Sequence, residues 1–353
     1  MCESLGVSDN PKNSQCINGF RFIPIKLLDV AGLVPGAHEG KGLGNKFLSE
    51  LVRADVLLHI IDITGSLDKN GNKVEPGSHD PYEDVVFLEN EINLWFSGII
   101  QREDWSKFTK TIKKGKGEII DALYQRLSGL SVRKEYIERA IKLSNLSEKN
   151  LLDWDNEDLL SFSKNLREIS KPIIVVANKI DKKIGLDLFK QLNRRYDKKI
   201  IACSALAEYF LRKYNEEGII EYAPGNSDFK IVKKEKLKSN EIETLEKIKL
   251  KLFKEFGGTG VQKVLNYAVF TILNQIAVYP VSNLNTLADK DGNILPDVFL
   301  VPQDTKLREF IEDKIHTDLA KHFIYGMEAR SKIKLGENYI LKDNDVIKIF
   351  SAK

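Results

Sequence analysis

Apolar positions along this chain switch between a period of two and a period of three to four, and the switches mark its parts. Asn18-Gly19 stands between Cys16-Ile17 and Phe20-Arg21-Phe22, a pairing that predicts a tight hairpin because both central positions of a type I′ turn need positive φ. The second arm is expected to continue through the apolar run 22–28 as a strand ending at Asp29. A glycine-rich segment follows, and 47–54 then reads as a helix. Val56-Leu57-Leu58-His59-Ile60-Ile61-Asp62 is almost unbroken apolar sequence, the pattern of a parallel strand covered on both faces. From Pro81 to Arg167 the period becomes helical, with Tyr82, Val85, Val86, Leu88, Ile92, Trp95 and Phe96 on one stripe. That stretch is too long for an ordinary crossover and predicts an inserted helical domain.

Strands resume at 172–178 and 199–204, with a crossover helix predicted over 186–196. Helices are expected at 241–256 and 260–277, split by Gly257-Gly258, and Tyr279-Pro280 marks a boundary because the residue before proline leaves the helical region. The remainder reads as strand 297–301, helix 306–315 and strands near 332–334 and 345–350, a βαββ content that suggests a β-grasp module. The fold class is therefore α/β. A doubly wound sheet is expected from 1–80 and 168–278, a helical insertion from 81–167, and a small terminal domain from 279–353. In such sheets ligands bind at the carboxyl ends of the strands, where Asp29, Asp62, Asn178 and Ser204 all fall.

Composition narrows the setting. At 353 residues, 42% hydrophobic and 30% charged, the chain resembles an ordinary globular protein. No apolar run is long enough for a membrane span, and the first residues lack the pattern of a secretory signal. Cys2, Cys16 and Cys203 form neither a metal spacing nor an even disulfide set, which suits a reducing cytoplasm. A net charge of +3 does not announce a nucleic-acid binder. The lysine clusters at 107–116 and 230–238 read first as solvated faces.

Three loops carry the candidate chemistry. Asp29, followed by Ala31-Gly32 and mobile glycines, fits a sensor of metal and phosphate. A carboxylate there would hold a water on Mg²⁺, and a glycine amide would approach a phosphate oxygen without a side chain between. Asp-x-x-Gly alone also describes any exit from a strand into a turn. The second loop, Asn178-Lys179-Ile180-Asp181, sits directly on a strand end. Asp181 can accept hydrogen bonds from N1–H and the 2-amino group of guanine, which adenine lacks. Asn178 can tie loops together or reach the base, and the stem of Lys179 can lie along the base plane. The third, Cys203-Ser204-Ala205, offers a backbone amide to the guanine carbonyl. Each is weak alone. Their order, each on its own strand end of one sheet, points to a Ras-like GTPase core.

With the run Asp29 to Leu48, including Gly42-Leu43-Gly44-Asn45-Lys46-Phe47-Leu48, the chain resembles the Obg superfamily. The helical insertion and terminal domain make it similar to the YchF subfamily of P-loop NTPases. His316-Thr317-Asp318-Leu319 and Met327-Glu328-Ala329-Arg330 look like the signature of that family's TGS domain. The resemblance implies GTP hydrolysis as a slow switch linked to ribosomes or translation, with Mg²⁺ at Asp29 and the nucleotide at Asn178, Lys179, Asp181, Ser204 and Ala205. It implies catalysis in the loop of Gly32, Leu33 and His38, where Leu33 replaces the water-orienting Gln of many GTPases. His38 is either a water-orienting group or an exposed loop residue.

Two departures shape the expectation. No Gly-x-x-x-x-Gly-Lys-[Ser/Thr] occurs, so the phosphate cradle and first strand, which the family places earlier, are expected to be lacking through N-terminal shortening. Neighbouring strands would be left unpaired, and the chain alone is expected to bind nucleotide poorly and to be inactive. Subfamily members also often prefer ATP, so adenine stays open beside guanine. Ribosome or RNA is the expected macromolecular partner, with Lys321, His322, Arg330, Lys332 and Lys334 available to phosphates. No membrane association is expected, and the protein is expected to be a monomer. The rival reading is a nucleotide-free RNA- or ribosome-binding module.

Overall fold

The computed structural model describes residues 5–30, 36, 50–101, 104–112, 116–130 and 132–352, and Gly32, Leu33 and His38 lie outside them. Contacts divide the chain into two compact units, 28–265 and the combination of 1–27 with 266–353. This division differs from the expected boundaries, because the first residues group with the C-terminal part and the helical stretch belongs to the larger unit.

In the larger unit, β3 (Leu57–Asp62), β4 (Ile173–Asn178) and β5 (Ile200–Ala202) form a parallel sheet in that order. Their registers bring Asp62 beside Asn178 and Ala177 beside Ala202, so three strand ends open at one edge. Ile174, Val175, Val176 and Ala177 are all buried, as a strand covered on both faces requires. β3 departs from that pattern. It pairs with β4 along one edge only, and Ile60 is 63% exposed. The expected strand over 22–28 is also absent: residues 23–30 carry no regular structure, and Asp29 is exposed on that stretch. A strand persists only where a neighbour pairs its amides and carbonyls, and no described strand offers that ladder.

The helical stretch builds a core of its own. α1 (Pro81–Gln101), α2 (Trp105–Thr111), α3 (Lys116–Arg126), α4 (Lys134–Leu143) and α5 (Asn156–Ser170) surround Ile92, Phe96, Ile100, Leu123, Ile137 and Phe162. Asp155 and Asp158 form a reciprocal cap at the start of α5, each accepting the other's amide at 2.9 Å. α6 (Gly185–Arg195) is the predicted crossover from β4 to β5, and α7 (Ala205–Glu216) follows β5. A second core joins these helices to the sheet through Val175, Ala177, Leu192, Leu211 and Tyr222. Among the described residues no helix is long and apolar enough to cross a membrane.

One group in β3 ties this packing to pH. The Nδ1 of His59 is enclosed with no hydrogen-bond partner among the described residues. Burial pushes its pKa down to about 4, against the opposing charge of Glu89. Between the ordinary imidazole value and about 4 the unfolded chain therefore binds the extra proton, so stability is lost as pH falls through that window. We expect up to about 3 kcal/mol of loss, flattened in His59→Leu, when urea midpoints are measured from pH 7 to pH 4. An unchanged pH profile in that variant would show that His59 is not the titrating group.

In the smaller unit the Asn18-Gly19 hairpin forms as expected between β1 (Gln15–Ile17) and β2 (Phe20–Phe22), with φ of 50° and 80° at the turn. The terminal domain is a five-stranded sheet in the order β11 (Lys334–Leu335), β10 (Phe323–Glu328), β12 (Asp345–Ser351), β8 (Gln275–Val281) and β9 (Phe299–Pro302). β8 corrects two expectations. The helix predicted to 277 ends by Ile272, after Val261–Asn266 and a wider turn Tyr267–Ile272, and Tyr279-Pro280 lies inside the strand. Asn274 at φ 48° breaks the helix, and the apolar run Ile276 to Val281 then finds β12 and β9 to pair with. β10 was not anticipated, because Gly326 interrupts its pattern. A Cβ there would stand 2.6 Å from Leu307 Cδ2, so a larger residue would make the Leu307 side chain shift where the helix Leu307–Phe310 packs on the sheet.

Candidate functional site

The ends of β3, β4 and β5 are joined by one hydrogen-bonded network. Beyond β4, Lys179 has φ 66°, a left-handed turn that reverses the chain directly after Asn178. Gly185 packs close behind, where an added Cβ would lie 3.1 Å from the Lys179 carbonyl. Asp181 then accepts the Ser204 hydroxyl on Oδ1 at 2.7 Å. Asn178 Oδ1 accepts the amide of Ala205 at 3.1 Å, and the Ile180 amide donates to the Cys203 carbonyl at 3.2 Å. Ser204 also caps α7, its hydroxyl accepting the Ala207 amide at 3.3 Å. The two loops singled out by sequence are thus one unit.

The β3 end supplies a third wall. Asp62 Oδ1 accepts the Thr64 hydroxyl at 2.6 Å, while Oδ2 accepts Ser66 at 2.6 Å and the Lys179 ammonium at 2.9 Å. Burial pushes the Asp62 carboxyl up, but these donors outweigh it and hold it at about 2. Lys179 is therefore a fixed cation laid across the mouth of the site. Together these loops enclose a cavity of about 520 Å³ lined by Thr64, Ser66, Asn178, Asp181, Lys182 and Ser204. Such a volume suits a small organic ligand.

Behind the network lies a support that the sequence reading treated only as a break between helices. The Thr259 carbonyl accepts the Ser204 amide at 2.8 Å. Gly260, at φ 88°, passes so close that a Cβ would stand 2.0 Å from the Ala202 carbonyl. Glu208 is 4% exposed and collects three donors: Thr259 Oγ1 at 2.6 Å, Tyr222 OH at 2.8 Å and Arg212 Nε at 2.6 Å. Cys203 is buried here, its thiol pushed up to about 12 by burial with the charges of Glu208 and Asp181. The signal for this support was Gly257-Gly258-Thr259-Gly260, a density of glycine that marks close backbone approach as readily as a helix break.

Known proteins resemble this chain in sequence and fold. Residues 176–283 match the family model of the Obg-like GTPase YGR210-like, G4 motif-containing domain, and 4–90 match the model of the 50S ribosome-binding GTPase. An uncharacterized GTP-binding protein of Methanocaldococcus jannaschii is 42% identical over 99% of this chain and 87% of its own length. The chain belongs to the Obg-like, YchF-type GTPase family. The crystal structure of a GTP binding protein from Pyrococcus horikoshii superposes with a TM-score of 0.76 at 36% identity, covering 99% of this chain and 90% of that one. The ribosome-binding ATPase YchF of Bacillus subtilis is 26% identical over 95% of this chain and 84% of its own length.

Within this GTPase family frame, the structure brings Asn178, Lys179, Asp181 and Ser204 together around one cavity, and Ala205 joins them through its amide bond to Asn178 without lining it. It adds Asp62 and Thr64 to them. In the loop Cys203-Ser204-Ala205, the Ala205 amide is donated to Asn178. Asn178 therefore acts as the tie between loops. Asp29 lies on the irregular stretch 23–30, and among the described residues no group of three or more His, Cys, Asp or Glu could hold a metal ion.

Proposed function

We propose that this cavity takes the base of a guanine nucleotide and that the protein, once joined to a Gly-x-x-x-x-Gly-Lys-[Ser/Thr] phosphate cradle that these residues lack, hydrolyses GTP to GDP as a slow switch linked to the ribosome. The observation that carries the reading is the Asp181 carboxylate, pinned by Ser204 at 2.7 Å on one oxygen while its other oxygen stands 3.9 Å from Lys182 Nζ. A carboxylate held in that way suits the paired N–H donors of guanine and repels the acceptor edge of adenine. The ribosome enters from the matched 50S ribosome-binding model and the name of the Bacillus relative.

Mg²⁺ belongs to this proposal as the ion of the nucleotide complex. A single exposed carboxylate, Asp29, fits an ion that takes most of its ligands from phosphate and water. Gly32, Leu33 and His38 are proposed as the catalytic loop. We place the protein in the cytoplasm as a monomer, in keeping with its cysteine usage. Adenine is the second reading, favoured by the ATPase name of the Bacillus protein.

Competitive titration of GDP against ADP on the full chain decides between them. Expected is a preference for GDP of at least about tenfold, the worth of one charge-assisted hydrogen bond. A preference for ADP would establish the second reading, and indifference would remove Asp181 from base recognition. Co-sedimentation with 50S subunits across a salt series tests the partner, and absence of a pelleted fraction at low salt would remove it.

A further inference from the structure

On the β3 side of the cavity, the wall is the loop that follows that strand. Asp62 accepts the Thr64 hydroxyl on Oδ1 and the Ser66 hydroxyl on Oδ2, each at 2.6 Å. With its pKa held at about 2, this carboxylate is ionised at neutral pH and can only accept. Both hydroxyl protons are therefore turned toward Asp62, and each oxygen has only lone pairs left for anything else. Thr64 is 3% exposed, whereas Ser66 is half-buried and lines the cavity, so the lone pairs that a ligand can reach are those of Ser66. The loop is fixed in this place. The Gly77 amide donates to the Thr64 carbonyl at 2.8 Å, and the Val74 amide donates to the Ser66 carbonyl at 3.0 Å. Gly65, at φ 57°, passes where an added Cβ would stand 2.1 Å from the His79 carbonyl.

We propose that Ser66 reads the sugar of the bound nucleotide, accepting a hydrogen bond from a ribose hydroxyl and so selecting ribonucleotides over deoxyribonucleotides. This rests on the guanine reading of the cavity. Asp181 is tied to Ser204 on the β5 side, while Asp62 stands at the end of β3, with β4 between them. A purine whose N1 edge meets Asp181 carries its sugar at the far end of the ring system. Adjacent strands lie about 5 Å apart, so that end comes over the β3 loop. Chemistry then sorts what Ser66 can meet there. A phosphate needs donors and is repelled by oxygens backed by a carboxylate. The base has already committed the N–H groups of its edge to Asp181. Ribose hydroxyls are the donors that remain, and the Ser66 oxygen is the acceptor placed for them.

The test is ligand-observed NMR on the full chain, with GMP and 2′,3′-dideoxy-GMP in competition. The two ligands differ only in the sugar, so the ratio of their affinities does not depend on how the phosphate is held. Expected is a preference for GMP of about three- to tenfold, the worth of one neutral hydrogen bond. Ser66→Ala and Ser66→Cys should bind the two alike, since neither offers a comparable acceptor. Any loosening of Asp62 or Lys179 in these variants would weaken both ligands together and leave the ratio unchanged, so a purely structural role for Ser66 cannot imitate the result. Circular dichroism melts identify variants that remain folded. The proposal is overturned if the parent does not bind GMP at millimolar concentration, if it binds both ligands equally, or if both folded variants keep the preference. AMP bound as tightly as GMP, with the sugar preference intact, would instead remove the guanine reading and leave the Ser66 contact standing.

Discussion

Glu208→Ala is expected to lower the unfolding free energy by about 2–4 kcal/mol, chiefly because two buried hydroxyl donors lose their acceptor. The carboxylate is enclosed with Thr259, Tyr222 and Arg212 all donating to it, and burial holds the Tyr222 phenol well above its ordinary range beside that charge. Truncation leaves the buried Thr259 and Tyr222 hydroxyls without water or acceptor, while the half-exposed Arg212 guanidinium can turn to solvent. Glu208→Gln keeps the shape and one acceptor oxygen, so its loss should be about half as large. The consequence reaches the site, since Thr259 is also the residue whose carbonyl takes the Ser204 amide. Urea unfolding followed by tryptophan fluorescence measures the loss. A change below about 1 kcal/mol for the alanine variant would mean that water replaces the carboxylate and that the network is not a support.

That network shows where sequence legibility ends. Asn178, Asp181 and Ser204 were legible because each is a polar residue set on the end of an apolar run, and strand ends of one parallel sheet gather at one edge. The Asn18-Gly19 turn was legible because two positive φ values admit few residue pairs. Glu208 carried no such mark. A glutamate in the first turn of a helix is ordinary surface sequence, and only the approach of the 257–260 loop from far along the chain turns it inward. The run 22–28 failed in the opposite way. Its apolar residues describe a strand, yet strand formation depends on a neighbour that local pattern does not record. β8 was misassigned for the same reason, as its identity comes from β12 and β9 rather than from the helix that precedes it. Lys179 was placed correctly in the loop, but its partner Asp62, on a strand more than a hundred positions earlier, could be seen only in three dimensions.

Asp181→Asn is the substitution with the largest expected effect on ligand choice. In the parent chain the carboxylate accepts from two N–H groups of guanine, and both bonds are charge-assisted. An amide keeps one acceptor and turns a donor toward the 2-amino group, so one attractive contact becomes a donor facing a donor. Affinity for GDP should fall about 10²- to 10³-fold, the combined worth of two such bonds. Xanthosine diphosphate carries a 2-oxo group at that position and should be bound in preference, reversing the order of the two ligands. Ser204 still donates to the remaining side-chain oxygen at this site, so the loop itself should hold its shape and the variant should melt with its parent. The pair of titrations with GDP and xanthosine diphosphate, run on parent and variant alike, reads the reversal directly as a ratio and does not depend on how strongly the phosphates are held. An unaltered ratio in a folded variant would place the base elsewhere than against Asp181, and the cavity between β3, β4 and β5 would lose its claim to select a purine.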